Sequence, residues 1–181
     1  MIYVFLADGF EIIEALAPVD MLQRAKLNVK TVGVTGKTVK SSGGIEVNAD
    51  LEINEIKTDE LQMMILPGGM PGTLNLEANE TVQQYIDYCV QNGIYVASIC
   101  AAPSILAHKG LLNGKTATCF PSFADDLKEA NYIAGGVRQD GKFITAAGAG
   151  VCIDFGLKCV EVLCDEQTAP RLALSACAGR K

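Results

Sequence analysis

The nine residues 96–104, VASICAAPS, place one cysteine where a run of apolar residues gives way to small ones. The apolar run predicts a strand that ends at Cys100, and the residues after it predict a helix. Such a strand–turn–helix exposes its central side chain at the top of a sheet, as in a nucleophile elbow. The N-terminus of the following helix favours the thiolate, the reactive form of cysteine. The alternative is a buried, inert thiol, and the local pattern leaves both open.

Two backbone N–H groups are candidates for binding an oxyanion beside this thiol. Pro67-Gly68-Gly69 follows another apolar strand, and glycine lets the backbone approach a ligand closely. The N–H groups of Gly69 and Ala101 would together surround a carbonyl oxygen attacked by Cys100. An ordinary turn between a strand and a loop also explains the two glycines.

The third candidate is a carboxyl group in the sequence GFEIIE, residues 9–14. Glu11 opens a predicted helix, where a carboxylate suits the helix dipole. Glu14 lies among apolar neighbours, so we expect it to be partly buried and protonated. In that state it would donate a hydrogen bond to the thiolate or move a proton.

Short apolar runs alternate with amphipathic stretches, which predicts an α/β sandwich with a mainly parallel sheet. Predicted strands cover residues 2–6, 29–34, 62–66, 94–99 and 115–120, and two hairpins cover 37–47, turning at Gly43-Gly44, and 137–146, turning at Asp140-Gly141. Predicted helices cover 11–26, 81–92, 101–109, 122–130 with Ser122 as its cap, 150–163, and a weaker segment within 165–181. Ligands bind beyond the carboxyl ends of such strands, so we expect loops 7–10 and 67–73 to meet Cys100 there.

Composition limits the classes of function. The chain has 181 residues and a net charge of −6 without a basic cluster, which argues against nucleic acid and anionic membranes as partners. One domain over residues 1–181, no leader or membrane segment, and a cytoplasmic location are expected. The seven cysteines are expected to be free thiols. With no C-x-x-C and only one histidine, His108, neither a metal site nor a cofactor is expected.

Three blocks in this order and spacing, ADGFEIIEALAPVDMLQRA, MMILPGGMPGTLNL and VASICAAPSILAHKGLL, resemble the ThiJ/PfpI superfamily, and most closely its DJ-one branch. A fourth block, DGKFITAAGAGVCIDFGLKCVEVL, resembles the last strand and helix of that branch. The resemblance implies a flavodoxin-like sandwich, akin to class I glutamine amidotransferases, and a homodimer. It implies that Cys100 is the redox-sensitive nucleophile, that Glu14 hydrogen-bonds it, and that Gly69 and Ala101 supply backbone donors. Gly68, Cys119 and Phe120 are expected to surround this group.

One position departs from the branch, which often carries histidine where this chain has Phe120. His108 falls two turns into the helix after Cys100 and is expected on the surface or in packing. No Cys–His pair can therefore be assembled, which disfavours a papain-like protease. Cys119 is either a resolving thiol for an oxidised Cys100 or a buried strand residue, and we favour the buried residue.

Two functions are compatible with these residues. The resemblance favours a cofactor-free, cysteine-dependent enzyme of the glyoxalase or deglycase kind, which acts on small reactive carbonyls under oxidative or carbonyl stress. The alternative is a redox-sensing or chaperone-like protein in which peroxide oxidises Cys100 to a sulfinic acid.

Overall fold

A computed structural model describes residues 1–178 as an α/β sandwich around a seven-stranded sheet. The strands are β1 Ile2–Leu6, β2 Val29–Gly33, β3 Thr38–Lys40, β4 Glu46–Asn48, β5 Leu51–Glu52, β6 Met63–Leu66, β7 Tyr95–Ile99, β8 Thr116–Ala117, β9 Asn131–Tyr132, β10 Val137–Asp140 and β11 Phe143–Ala146. The helices are α1 Ile12–Arg24, α2 Gly72–Ala78, α3 Glu80–Gln91, α4 Pro103–His108, α5 Cys152–Leu163 and α6 Thr168–Ser175. Short 3₁₀ turns cover Ile53–Glu55, Pro121–Leu127 and Ala149–Val151.

The main sheet has the order β10-β11-β7-β6-β1-β2-β5. Only β10 runs antiparallel to its neighbour; the other adjacent pairs are parallel. The chain passes from β1 to β2 on one side and later to β6 on the other. A crevice therefore forms at the carboxyl ends of β1 and β6, where doubly wound sheets bind ligands.

Buried side chains of β1 alternate between two core clusters, one on each face of the sheet. Ile2, Val4 and Leu6 pack with residues of α1 and α5, whereas Tyr3 and Phe5 pack with residues of α2, α3 and α4. Both faces are thus covered, as a parallel sheet requires. None of the helices in residues 1–178 combines the length and apolar character needed to cross a bilayer.

The first hairpin and the strands of the main sheet other than β5 agree with the sequence prediction, which missed β5. The connection after α4 differs from the prediction. Strand pairing in 115–120 stops at Ala117, because the Thr118 N–H donates to a threonine side chain and the Phe120 N–H to the Cys100 carbonyl. The predicted helix 122–130 is a 3₁₀ turn that begins at Pro121, so Ser122 is not its cap.

Two further boundaries were predicted wrongly, and one helix was missed. The helix after Cys100 begins at Pro103 rather than at residue 101, because proline has no N–H to leave unsatisfied in the first turn. Asp140 pairs with Phe143, so the second hairpin turns at Gly141-Lys142. Helix α2 was missed, since its sequence starts with glycine after a proline. The predicted tail helix is α6, and residues 179–181 of that prediction lie outside the described part.

Helices α1 and α5 approach closely on the face of the sheet that carries the acid of α1. A Cβ added to Gly156 would lie 2.9 Å from the Cα of Pro18 and 2.9 Å from Cγ of Met21. Pro18 lies inside α1 and cannot donate the helical hydrogen bond to the carbonyl of Glu14, four residues earlier. The glycine therefore lets α5 pack directly against the backbone of α1 at its proline.

We expect Gly156→Ala to lower the free energy of unfolding by about 1–3 kcal/mol, because the added methyl meets backbone that cannot move aside. This expected loss is the net change, after the gain of about 1 kcal/mol that alanine brings as a better helix former than glycine. Urea unfolding would measure the change. The control is Gly43→Ala, whose added Cβ meets nothing within 4 Å. Equal stabilities of the two variants would contradict the packing argument.

Candidate active site

Cys100 lies directly after β7 with a backbone φ of 64°, which residues with a side chain rarely adopt. Its N–H donates to the Ala146 carbonyl at 2.8 Å, and its carbonyl accepts from the Phe120 N–H at 2.8 Å. These bonds hold a conformation that costs about 1–2 kcal/mol. The tight turn predicted from the sequence is confirmed, and the thiol is partly exposed at the carboxyl edge of the sheet.

Glu14, in the first turn of α1, is the acid beside this thiol. Its side chain is 1% exposed and shares a hydrogen bond with Cys100. The Gly68 N–H donates to Oε2 at 3.1 Å, and the Ala149 N–H donates to the same carboxyl group. The burial predicted for Glu14 is confirmed, and the structure brings the two side chains together.

Gly68 separates the acid from the backbone of the elbow. A Cβ at this position would lie 2.6 Å from Glu14 Oε2 and 2.7 Å from the Cβ of Cys100. Real Cβ atoms do not come this close to other heavy atoms, so only glycine leaves room for the pair. The loop after β6 therefore turns the chain and also leaves room for Glu14 to contact Cys100.

Two backbone N–H groups point at the sulfur of Cys100, those of Ala101 and Gly69. They come from the turn between β7 and α4 and from the loop after β6, and both were predicted from the sequence. Together they form a small cluster of hydrogen-bond donors around the reacting atom. Such donors stabilise negative charge on a sulfur or on an oxygen bound next to it.

The protonation of Cys100 differs from the sequence-based expectation, whereas that of Glu14 agrees with it below about pH 7. Burial raises the pKa of Glu14 to about 7, and the charge of Glu11 adds to this, while hydrogen bonds from Cys100, Gly68 and Ala149 oppose it. Burial also raises the pKa of the Cys100 thiol to about 12, and the charge of Glu14 raises it further. The N–H groups of Ala101 and Gly69 lower that pKa by less. The expected resting thiolate is therefore wrong: loss of water outweighs the helix terminus.

Acidity does not distinguish Cys100 from the other thiols. Burial raises the pKa of Cys89 and Cys152 to about 12 and that of Cys119 to about 11. The helix terminus that was expected to favour the thiolate therefore does not make Cys100 the most acidic of these four thiols. What sets Cys100 apart is its position, with an acid and two N–H donors around a partly exposed sulfur.

The structure adds Gly148 and Ala149, which sequence reasoning missed. Both follow β11, whose carboxyl end lies beside that of β7. A Cβ at Gly148 would lie 3.9 Å from Cys100 Sγ and 3.8 Å from Glu14 Oε1. The signal in the sequence was the run of small residues AAGAG directly after a predicted strand.

Of the other residues considered in the sequence, Phe120 lies at the site, whereas Cys119 and His108 lie away from it. The ring of Phe120 lies 3.4 Å from the same Cβ point of Gly148 and so borders the site. Cys119 is fully buried in the core cluster on the other face of the sheet from the one that Cys100 contacts, which supports the packing interpretation. His108 lies on the surface, one of the two positions expected for it, and its Nδ1 lies 2.6 Å from Glu77 Oε1 at the far end of α4.

Comparison with known proteins identifies the family. The model of the DJ-1/PfpI family matches residues 1–162. The chain is 31% identical to Protein dj-1beta of Drosophila melanogaster over 173 residues, which cover 94% of this chain and 92% of the relative. The chain therefore belongs to the DJ-1/PfpI family, as the sequence resemblance indicated.

Solved structures agree. The crystal structure of Drosophila melanogaster DJ-1beta superposes with a TM-score of 0.93 at 30% identity, covering 99% of this chain and 98% of that one. Oxidized Toxoplasma gondii DJ-1 gives a TM-score of 0.92 at 30% identity, covering 97% and 96%. A glutathione-independent glyoxalase of Caenorhabditis elegans, DJR-1.2, is 29% identical over 84% of this chain and 82% of its own length.

The raised pKa of Glu14 predicts a stability that depends on pH. The folded chain keeps a proton on Glu14 up to about pH 7, whereas the unfolded chain releases it near 4.5. Below 4.5 that contribution is fully present, and it is lost as pH rises through about 7. We expect the free energy of unfolding of the native protein, relative to Glu14→Gln, to fall by about 3 kcal/mol from pH 4 to pH 8.

Chemical unfolding at several pH values measures this difference. Glu11→Gln is the matched control, since it removes a nearby, more exposed carboxyl from the same helix end. A constant difference between the native protein and Glu14→Gln across the range would show that Glu14 titrates normally in the folded chain.

Proposed function

We propose that the protein is a cofactor-free enzyme that converts small 2-oxoaldehydes into 2-hydroxy acids, with Cys100 as the nucleophile. The observation that carries this proposal is the hydrogen bond between a strained, partly exposed thiol and a buried acid that titrates near neutral pH. The glyoxalase named among the relatives supports the reaction class. The chain's single histidine is held by Glu77, so proton transfer falls to Glu14.

The first step is addition of the sulfur to the aldehyde carbon. Above about pH 7 Glu14 is ionised and accepts the Cys100 proton as the carbon–sulfur bond forms. The electron pair of the carbonyl π bond moves to its oxygen, which the N–H groups of Gly69 and Ala101 stabilise. Proton return from Glu14 to that oxygen gives a neutral hemithioacetal and restores the carboxylate.

The second step moves a hydrogen between the two carbons. Glu14 removes the proton from the carbon bonded to sulfur, giving an enediolate and a neutral carboxyl group. The hydroxyl proton passes to the neighbouring oxygen, and Glu14 returns its proton to the neighbouring carbon. The product is a thioester of the 2-hydroxy acid. Water then attacks the thioester carbonyl, the carbon–sulfur bond breaks, and Cys100 recovers its proton. The overall change is addition of one water, without any net oxidation or reduction.

We expect the protein to form lactate from methylglyoxal without added cofactor, and Cys100→Ala to lower kcat/KM by about a thousandfold or more. Glu14→Gln is expected to lower kcat by about a hundredfold or more, since it removes the proton carrier. In the native protein kcat/KM is expected to rise with pH through about 7, as Glu14 ionises. Coupled or chromatographic lactate assays provide the measurement.

The matched control is Cys164→Ser, a partly exposed thiol at the end of α5, which is expected to keep full activity. Cys119→Ser, if folded by circular dichroism, is expected to keep it as well. Lactate formation by Cys100→Ala at the native rate would refute the proposed nucleophile.

A second candidate function is redox sensing, favoured by the same donors and by the oxidized relative from Toxoplasma gondii. Peroxide would oxidise the Cys100 thiol to a sulfenic acid with release of water, and a second peroxide would give the sulfinic acid. The N–H groups of Gly69 and Ala101 would bind the new oxygens, and protonated Glu14 would donate to one of them.

Mild peroxide treatment tests this function by intact-mass and peptide measurements. We expect a gain of two oxygens located on Cys100 in the native protein and its absence in Cys100→Ser. Glu14→Ala is expected to give mainly further oxidised products, because the sulfinate loses its donor. A two-oxygen gain located on another cysteine would rule out this role for Cys100.

A further inference from the structure

An apolar groove opens beside the thiol and has no part in the chemistry described above. It has a volume of about 350 Å³ and is lined by Phe120, Pro121, Gly135, Gly136 and residues 147–151. All of these are glycine, alanine, valine, proline or phenylalanine, so no charged side chain lines the groove. It offers contact area without hydrogen-bonding side chains.

The groove joins the reacting atoms at Gly148. The point that a Cβ of Gly148 would occupy lies within 4 Å of the Phe120 ring, Glu14 Oε1 and Cys100 Sγ. The missing side chain leaves a direct passage from the sulfur into the groove. A group attached to the carbon that Cys100 attacks would therefore extend along the groove beside the Phe120 ring.

Phe120 is an exposed aromatic residue on a rigid support. Its side chain is 45% exposed, although a phenyl ring is usually buried. Its N–H donates to the Cys100 carbonyl at 2.8 Å, and Pro121 follows it with a restricted φ. The ring is thus tied to the elbow itself and presents its apolar surface to the groove at little cost in conformational freedom.

The charges around the groove favour a neutral occupant. Glu14 and Glu11 lie at the end nearest the sulfur, and the whole chain carries −6. The cation near the far end is Arg138, whose Nη1 lies 3.0 Å from the Cβ point of Gly136 and donates to the Val137 carbonyl. An anionic substituent would meet the two carboxyl groups before it reached Arg138.

We propose that this groove binds the substituent of the substrate, and that the enzyme prefers neutral 2-oxoaldehydes with an aromatic group over methylglyoxal. This inference depends on the proposed function and adds the substrate class to it. Phe120 is then a specificity residue that contacts the substituent and takes no part in bond making. Stacking of two rings at this site corresponds to about a three- to tenfold preference.

The test compares initial rates with phenylglyoxal and methylglyoxal. The native protein is expected to show a kcat/KM ratio of phenylglyoxal to methylglyoxal of about ten. Phe120→Ala is expected to lower that ratio about three- to tenfold, mainly through KM for phenylglyoxal. Phe120→Leu, which retains apolar area without a ring, is expected to lie between them.

Val90→Ala is the matched control, because it truncates a comparably exposed apolar side chain (39%) on α3 and is expected to leave the ratio unchanged. A ratio unaltered by Phe120→Ala would overturn the proposal. Higher kcat/KM for hydroxypyruvaldehyde phosphate than for phenylglyoxal would also overturn it and would assign the groove to anions through Arg138.

Binding of an unreactive probe separates failure of this proposal from failure of the proposed enzyme function. 1-Phenyl-1,2-ethanediol is neutral and carries the same ring. It is expected to shift the amide resonances of Gly148 and Gly150 in the native protein and in Cys100→Ala, but not in Phe120→Ala. Such shifts without turnover of either aldehyde would support the groove and reject the enzyme. Absence of shifts in the native protein would reject the groove.

Discussion

The hydrogen bond between Glu14 and Cys100 is the interaction on which the site depends. It joins a carboxyl buried at the start of α1 to a thiol at the end of β7, and neither group rests in its usual environment. Water is largely excluded, so both groups resist a negative charge, and the resting pair carries such a charge on Glu14 and not on the sulfur, above about pH 7. The proposed reactivity of the pair therefore depends on a proton that passes from Cys100 to Glu14 when a substrate binds.

The helix terminus and the backbone N–H donors are therefore expected to act during the reaction and not on the resting thiol. Placed beside a thiol they suggest a permanent thiolate, yet burial outweighs them in the resting protein. We expect their effect when charge appears on the oxygen of an added carbonyl group or on a sulfinate. Donors fixed by the fold need no reorganisation at that moment. The same geometry therefore serves carbonyl addition and peroxide oxidation, which is why both candidate functions fit one site.

Much of the fold and most of the site could be predicted, because both follow from local patterns. Apolar runs marked every strand of the main sheet except the two-residue β5, and the ends of β6 and β7 located Gly69 and Cys100. The acid was found because a carboxyl among apolar residues is unusual. Gly148 and Ala149 were missed because a run of small residues after a strand does not by itself indicate which chemical group lies beside it. The predicted protonation of Cys100 was wrong because the burial of the thiol depends on segments far apart in the chain, and no local pattern contains that information.

The contact between Gly156 and Pro18 has a consequence for how such a protein can diversify. Pro18 frees the carbonyl of Glu14 from the helical ladder, and the glycine sets how near the two helices come. Pro18 lies one turn after Glu14 on the same face of α1, so this contact helps to set how deeply the acid is buried. Changes in side-chain volume where α5 packs against α1 would alter the pKa of Glu14 without replacing any residue that takes part in the reaction.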